Sequence, residues 1–350
     1  MITRRVGDDP FFRIFENFTK IQTDFNVHFF AHGGNDIDKI DEPLLDNKKF
    51  NVIFCLDLTH HKTRQRILKE LQDKKAKLWW IGAEQNPFKH KDIVNTWWGG
   101  EFHIQAKEYF ALKDIVKAHS HNDYHWISLT LGPRHCRVFS STCLMQYADM
   151  SKGEMRVKTH MAKDFKTIND LIKHGCKWHL DLTFDLQSAY EKMLTRPWWG
   201  SQRFLWQTYN KLGHCNNALN FDVYLRELYK STLVEVVNET SVADEETGNE
   251  APIFLTEKFV NSVYAMNLPI ICSAKGTVRF LEQLGFDMFR SHINHDYDDI
   301  EDHAKRIHHA IRDNQKLFND YNFAKQAWDN NYEGMIQNKL LHKRLSKKYE

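Results

Sequence analysis

The feature that most restricts how this chain can fold is a recurring order: a short apolar run, a break at its end, then an amphipathic stretch. Val27–Ala31 runs toward Gly33-Gly34. Val52–Leu56 reaches Asp57 and leads into Lys62–Lys74, where Ile67, Leu68 and Leu71 recur at helical spacing. Leu78–Ile81 stops at Gly82, and Trp126–Leu131 stops at Gly132-Pro133 before a predicted helix over Arg134–Tyr147. Strand, loop, helix, strand is the rhythm of a parallel sheet covered by helices, in which ligands collect beyond the carboxyl ends of the strands. The rhythm lapses between about Ser151 and Tyr229, an aromatic-rich stretch that holds Trp178, Trp198, Trp199 and Trp206. It returns with Leu233–Val237, a helix from about Thr256, the strand Pro269–Cys272, a helix over Thr277–Leu284 closed by Gly285, and one long amphipathic helix over Ile300–Tyr321. The expected fold class is therefore α/β. Residues 1–150 and 151–325 form two domains facing each other across a cleft, and residues 326–350 form a basic helix or tail.

Composition removes several alternatives. A hydrophobic content of 42% and 27% charged residues supports a sizeable core and excludes a disordered or collagen-like chain. No run approaches the roughly 18 apolar residues of a membrane helix, and Met1-Ile2-Thr3-Arg4-Arg5 leads into Gly-Asp-Asp-Pro, unlike a signal core. The six cysteines stand singly, which suits reduced thiols and a cytoplasmic setting. The net charge is only +2, yet Lys339, Lys343, Arg344, Lys347 and Lys348 crowd the end of the chain, where they suit either a solvated helix end or contact with phosphates. P-loop, G-x-G-x-x-G and G-x-S-x-G patterns are absent, which speaks against a P-loop NTPase, a simple dehydrogenase and an α/β-hydrolase.

The densest chemistry lies between Leu233 and Asp299. Glu239 ends a strand, and Thr256-Glu257-Lys258 opens a helix whose first N–H groups and positive dipole end suit an anion. The same residues also read as an ordinary N-cap with a helix-initiating carboxylate. Ser273, Lys275 and Gly276 form a short loop at another strand end. Arg134 and Arg137, three apart at a helix start, share a face and suit bidentate phosphate contact, or form a plain surface pair. Asp36-Ile37-Asp38 fits a D-x-D that would hold magnesium or manganese, although a polar loop explains it equally. His119-x-His121-x-Asp123-x-His125 would put metal ligands on one side of a strand, or is a histidine-rich surface loop. The pairs Trp79-Trp80, Trp97-Trp98 and Trp198-Trp199 suit stacking on sugars or bases, or simply core.

Taken in order, the strand ending in N-E-T, an acidic gap, F-L-T-E-K, L-P-I-I, F-L-E-Q-L-G-F-D-M-F, H-D-Y-D-D-I and a helix with Arg306 resembles the C-terminal half of glycosyltransferase-like proteins encoded by tailed phages and other large viruses. The T-E-K piece is similar to the donor-binding segment of the fucosyltransferase family. Gly132-Pro133-Arg134-His135-Cys136-Arg137 is similar to the R-x-H-R turn of the viral proteins. The likeness covers about the last third plus this turn. Pro269-Ile270-Ile271 stands where P-F-I is usual, and the acidic insert at Asp244, Glu245, Glu246 and Glu250 is this chain's own.

The resemblance implies a GT-B arrangement of two facing Rossmann-like domains, an acceptor-side domain over 1–150 and a nucleotide-sugar donor domain over 151–325. It implies sugar transfer from a nucleotide donor to an acceptor hydroxyl without a required metal, magnesium or manganese remaining an option. Arg134, Arg137 and Lys258 would hold the diphosphate and Glu239 and Glu257 the donor's hydroxyls, with Thr256, Ser273, Lys275 and Gly276 beside them. An inverting enzyme also needs a general base, for which Glu84 and, behind it, Asp57 stand at strand ends in the N-terminal domain. The viral likeness points to a hydroxymethylated base of double-stranded phage DNA as acceptor. The alternatives are a surface glycan or protein acceptor, and a non-catalytic GT-B scaffold.

Overall fold

The structure is a computed structural model. It describes residues 25–30, 37, 39–55, 59–99, 117, 124–130, 134–157, 162–178, 185–195, 229–240, 242–243, 248 and 250–347. Asp36, Asp38, Asp57, His119, His121, Asp123, Gly132, Pro133, Trp198, Trp199, Trp206, Asp244, Glu245, Glu246 and Lys348 lie outside the described residues. The chain divides into two compact units: residues 1–101 with 251–255, and residues 102–250 with 256–350.

Unit 1 contains the strands β1 (Phe25–Phe30), β2 (Phe50–Cys55), β3 (Leu78–Gly82) and β5 (Ile93–Trp97), paired in parallel in that order. Helix α1 (His61–Lys74) joins β2 to β3 and buries Thr63, Ile67 and Leu71, the stripe that its spacing predicts. Strand alternation then separates the tryptophan pair. Trp80 is 1% exposed in a core with Ile53, Ile67 and Phe88, whereas Trp79 packs with Val27, Val52 and Ile81. The short β4 (Glu84–Gln85) pairs antiparallel with β9 (Ile253–Phe254).

Unit 2 is built on the parallel strands β6 (Trp126–Leu129), β7 (Gly153–Arg156), β8 (Val234–Asn238) and β10 (Leu268–Cys272), in the order β10-β8-β6-β7. Helix α2 (His135–Tyr147) carries the chain from β6 out to β7. The chain then returns to the other side of β6 as β8, and α4 (Glu257–Tyr264) carries it on to β10. Progress across the sheet thus reverses between β6 and β8. Gly153 is needed where β7 meets β6, because a Cβ there would lie 1.9 Å from the buried Trp126 ring. Helix α3 is Gln187–Thr195.

The boundary expected near 150 is corrected by this pairing. Trp126–Leu129 hydrogen-bonds to β7 and β8, so the residues from 102 onward belong with the second sheet. The single helix expected over Ile300–Tyr321 is also corrected: it is α6 (His303–Arg312) and α7 (Gln315–Asn319), with α8 (Tyr321–Asn330) starting at its end. Asn314 interrupts it, donating to the carbonyls of Ala310 and Asn294 (2.9 Å each) and accepting from the Asn294 N–H. Asp320 starts the next helix by accepting from the Phe323 N–H at 3.0 Å. The basic tail is helix α9 (Tyr332–Ser346), which packs on α4 through buried Met335, Asn338 and His342. Among the described residues, no helix is long and apolar enough to cross a membrane.

Candidate functional site

Three helices of unit 2 start at the carboxyl edge of its sheet, and their first turns differ. Helix α5 (Thr277–Gln283) follows β10, and its N–H groups at Val278 and Arg279 donate to the Asp298 carboxylate at 3.1 and 3.0 Å. An internal carboxylate thus holds the place a phosphate would take. Gly276 donates to the Asp298 carbonyl, Ser273 is buried and accepts from Thr277, and Lys275 pairs with Glu301. The Ser273-Lys275-Gly276 loop is therefore committed to internal contacts.

Helix α4 starts in a comparable way. Thr256 is its N-cap and accepts from the Lys258 N–H, while Glu239, 0% exposed, accepts the Thr256 hydroxyl at 2.5 Å and its N–H at 3.3 Å. Lys258 Nζ reaches Glu257 at 2.8 Å, Thr256 Oγ1 at 3.0 Å and Thr240 Oγ1 at 3.4 Å. Burial raises the Glu239 pKa against the pull of Lys258 and Thr256. Burial would also raise Glu257, but Lys258 and the surrounding hydrogen bonds outweigh it and hold this carboxyl below its ordinary value. Arg137, 4% exposed, faces the same group; its pKa is lowered chiefly by burial, and Glu239 and Glu257 oppose that shift. The structure thus brings Arg137, Glu239, Thr256, Glu257 and Lys258 together as a group of two cations and two anions, consistent with the cost of burying unbalanced charge.

Helix α2 differs from both. Its N-cap is Arg134, extended and without a side-chain cap, and its first turn holds no carboxylate. Asn238 anchors it at the reversal point: its amide donates to Ser128 of β6 at 3.0 Å and its carbonyl accepts Ser140 of α2 at 2.5 Å. A cavity of about 290 Å³ opens here, lined by Arg134, His135, Cys136, His174, Gly175, Cys176, Lys177, Trp178, Thr240, Val242 and Ala243. Among these described residues are two permanent cations and two imidazoles, and no carboxylate. Arg306, 2% exposed, stiffens the walls by donating to the carbonyls of Ser273 (3.0 Å), Ile300 (2.7 Å) and Val242 (3.1 Å). A cation-rich cavity between the first two strands on either side of a chain reversal is where an open α/β sheet binds ligands, and this lining suits a phosphate-bearing anion.

Of the residues expected at the donor site, Arg134 lines the cavity, and Arg137, Glu239, Thr256, Glu257 and Lys258 lie together in unit 2. Ser273, Lys275 and Gly276 stand around α5. His135, His174 and Lys177 were not singled out for this site; the available signal was the basic run Lys173-His174-x-x-Lys177 around Gly175. In unit 1, Glu84 is 2% exposed, accepts the Thr59 N–H at 3.1 Å and pairs with Arg64 at 3.4 Å. It thereby fixes the chain at the start of α1. His125 is buried edge-on against Tyr321, and burial lowers its pKa. No protein-family model, curated protein or solved structure matches the chain.

Proposed function

We propose that the chain is a glycosyltransferase that takes its sugar from a nucleotide donor whose diphosphate sits in the unit 2 cavity. The observation that carries the reading is the cavity's place and lining: a chain reversal between β6 and β8, an uncapped helix start, and Arg134, Lys177, His135 and His174 without a described carboxylate. When a sugar leaves a nucleoside diphosphate, negative charge grows on the departing phosphate, and fixed cations and a helix N-terminus aimed there lower the barrier. Arg134 offers a planar fork for two phosphate oxygens and Lys177 a point charge. Trp178, in the cavity wall, offers an apolar surface for the donor.

Two parallel α/β units in one chain are the parts from which a GT-B enzyme is made, and unit 2 takes the donor role in this reading. The acceptor carried over from the viral likeness is a hydroxymethylated DNA base. The test is a thermal-shift screen of UDP-, GDP-, ADP- and CMP-sugars with and without magnesium, on the wild type and on Arg134→Ala, followed by a transfer assay on hydroxymethylated DNA. A stabilising shift with one nucleotide, reduced in Arg134→Ala, supports the reading. No shift with any donor removes it, and a shift without transfer to DNA moves the acceptor to a glycan or protein.

A further inference from the structure

Lys177 occupies a backbone position that the chain would fill more easily with another residue. It follows a π-helical turn, Leu171–Gly175, at φ +57, in the left-handed region. The N–H groups on either side close the turn, Cys176 on Leu171 at 2.8 Å and Trp178 on Ile172 at 3.0 Å, so the reversal cannot relax. Glycine or asparagine is the usual residue past such a helix end, because a larger side chain crowds the backbone there. From the other side Gly248 presses on the same peptide: a Cβ at Gly248 would lie 1.8 Å from the Lys177 carbonyl oxygen. The backbone at 177 is thus pinned from two directions, while its side chain is exposed and contributes nothing to the core. Strain that the surroundings hold in place and packing does not require is a mark of function. Here the strained residue lines the same cavity as Arg134, His135 and His174.

The geometry points to Lys177 as the residue that selects a diphosphate group for the unit 2 cavity, acting with Arg134 as the second permanent cation. The assignment rests on reading this cavity as the donor's diphosphate site. It adds that free inorganic pyrophosphate is itself a ligand, and that the lysine is kept at the expense of local backbone comfort. Asparagine at 177 suits the left-handed backbone and removes the charge. Arginine keeps the charge. Lys75, at φ +51 beyond the end of α1, provides a control with similar backbone geometry outside the cavity lining.

The experiment is a calorimetric titration of the full chain with pyrophosphate at pH 7, using wild type, Lys177→Asn, Lys177→Arg and Lys75→Asn, with melting temperatures recorded for each. Lys177→Asn is expected to melt no lower than the wild type and to bind pyrophosphate about tenfold more weakly or worse. Lys177→Arg should bind within about threefold of the wild type, and Lys75→Asn should bind unchanged. Absence of pyrophosphate binding by the wild type, or equal binding by Lys177→Asn, overturns the inference. So does a Lys177→Asn protein that loses binding only together with several degrees of melting temperature, which would make the residue structural. Nucleotide sugars are titrated separately: pyrophosphate bound through Lys177 with no nucleotide sugar bound removes the transferase reading and leaves the role of Lys177 standing.

Discussion

Single residues at the carboxyl edge of unit 2 hold more than one loop each, and their loss should be felt accordingly. Arg306 is the clearest case, since its guanidinium serves carbonyls of three separate segments and also His303. Arg306→Met leaves those buried carbonyls without donors and should cost about 3 kcal/mol or more, measured by urea unfolding. A cost below about 1 kcal/mol would mean that water replaces the guanidinium at those carbonyls. The buried histidines give a second test. Burial, foremost, pushes His295, His303 and His308 down to about 4, with Arg306 adding to the effect at His303 and Arg312 at His308. His303 accepts from Arg306 through Nδ1, which fits a neutral ring. Since their folded values lie below the unfolded value of about 6.5, the unfolded chain binds more protons, and the stability present above that pH is lost as pH falls toward 4. Each histidine removes up to about 1.4 kcal/mol per pH unit. Glu235, raised by burial to about 7, works in the opposite direction between its unfolded value and 7 and offsets about one of the three. Histidine resonances followed by NMR should show these three rings still neutral at pH 5.5; midpoints near 6.5 would contradict their burial.

At the scale of elements, apolar periodicity made most of the strands and helices legible. Ile67, Leu68 and Leu71 announce α1, and Leu268–Cys272 is buried at every position, as a central parallel strand should be. Side-chain hydrogen bonds that reach across the sequence stayed hidden. Nothing local to Ile300–Tyr321 reveals that Asn314 bonds to Asn294 and breaks the helix. The T-E-K and Y-D segments marked two helix starts correctly, but their polar groups turn toward Glu239 and toward α5. The open helix start is the one at Arg134. Asp298 makes this testable: Asp298→Ala removes the acceptor for two N–H groups of α5 and should cost about 1–2 kcal/mol, as the loss of a good N-cap does. An unchanged unfolding midpoint would show that α5 is not held by this carboxylate.

At the scale of the molecule, the division near residue 101 explains why a boundary at 150 looked natural and was misplaced. The rhythm of strand and helix is continuous across that region, and only the pairing of β6 with β8 assigns residues 124–147 to the second sheet. A chain of residues 102–350 keeps all four strands of that sheet and should unfold cooperatively, followed by circular dichroism and urea. A chain of residues 151–350 lacks β6 and α2 and should not. Equal behaviour of the two would contradict the sheet order. The central claim, that the cavity between β6 and β8 receives the diphosphate of a nucleotide sugar, is tested most directly by titrating the preferred nucleotide sugar into the wild type and into Arg134→Ala. The account predicts saturable binding that weakens by about tenfold or more when the guanidinium is removed. Binding of equal strength in both proteins would contradict it.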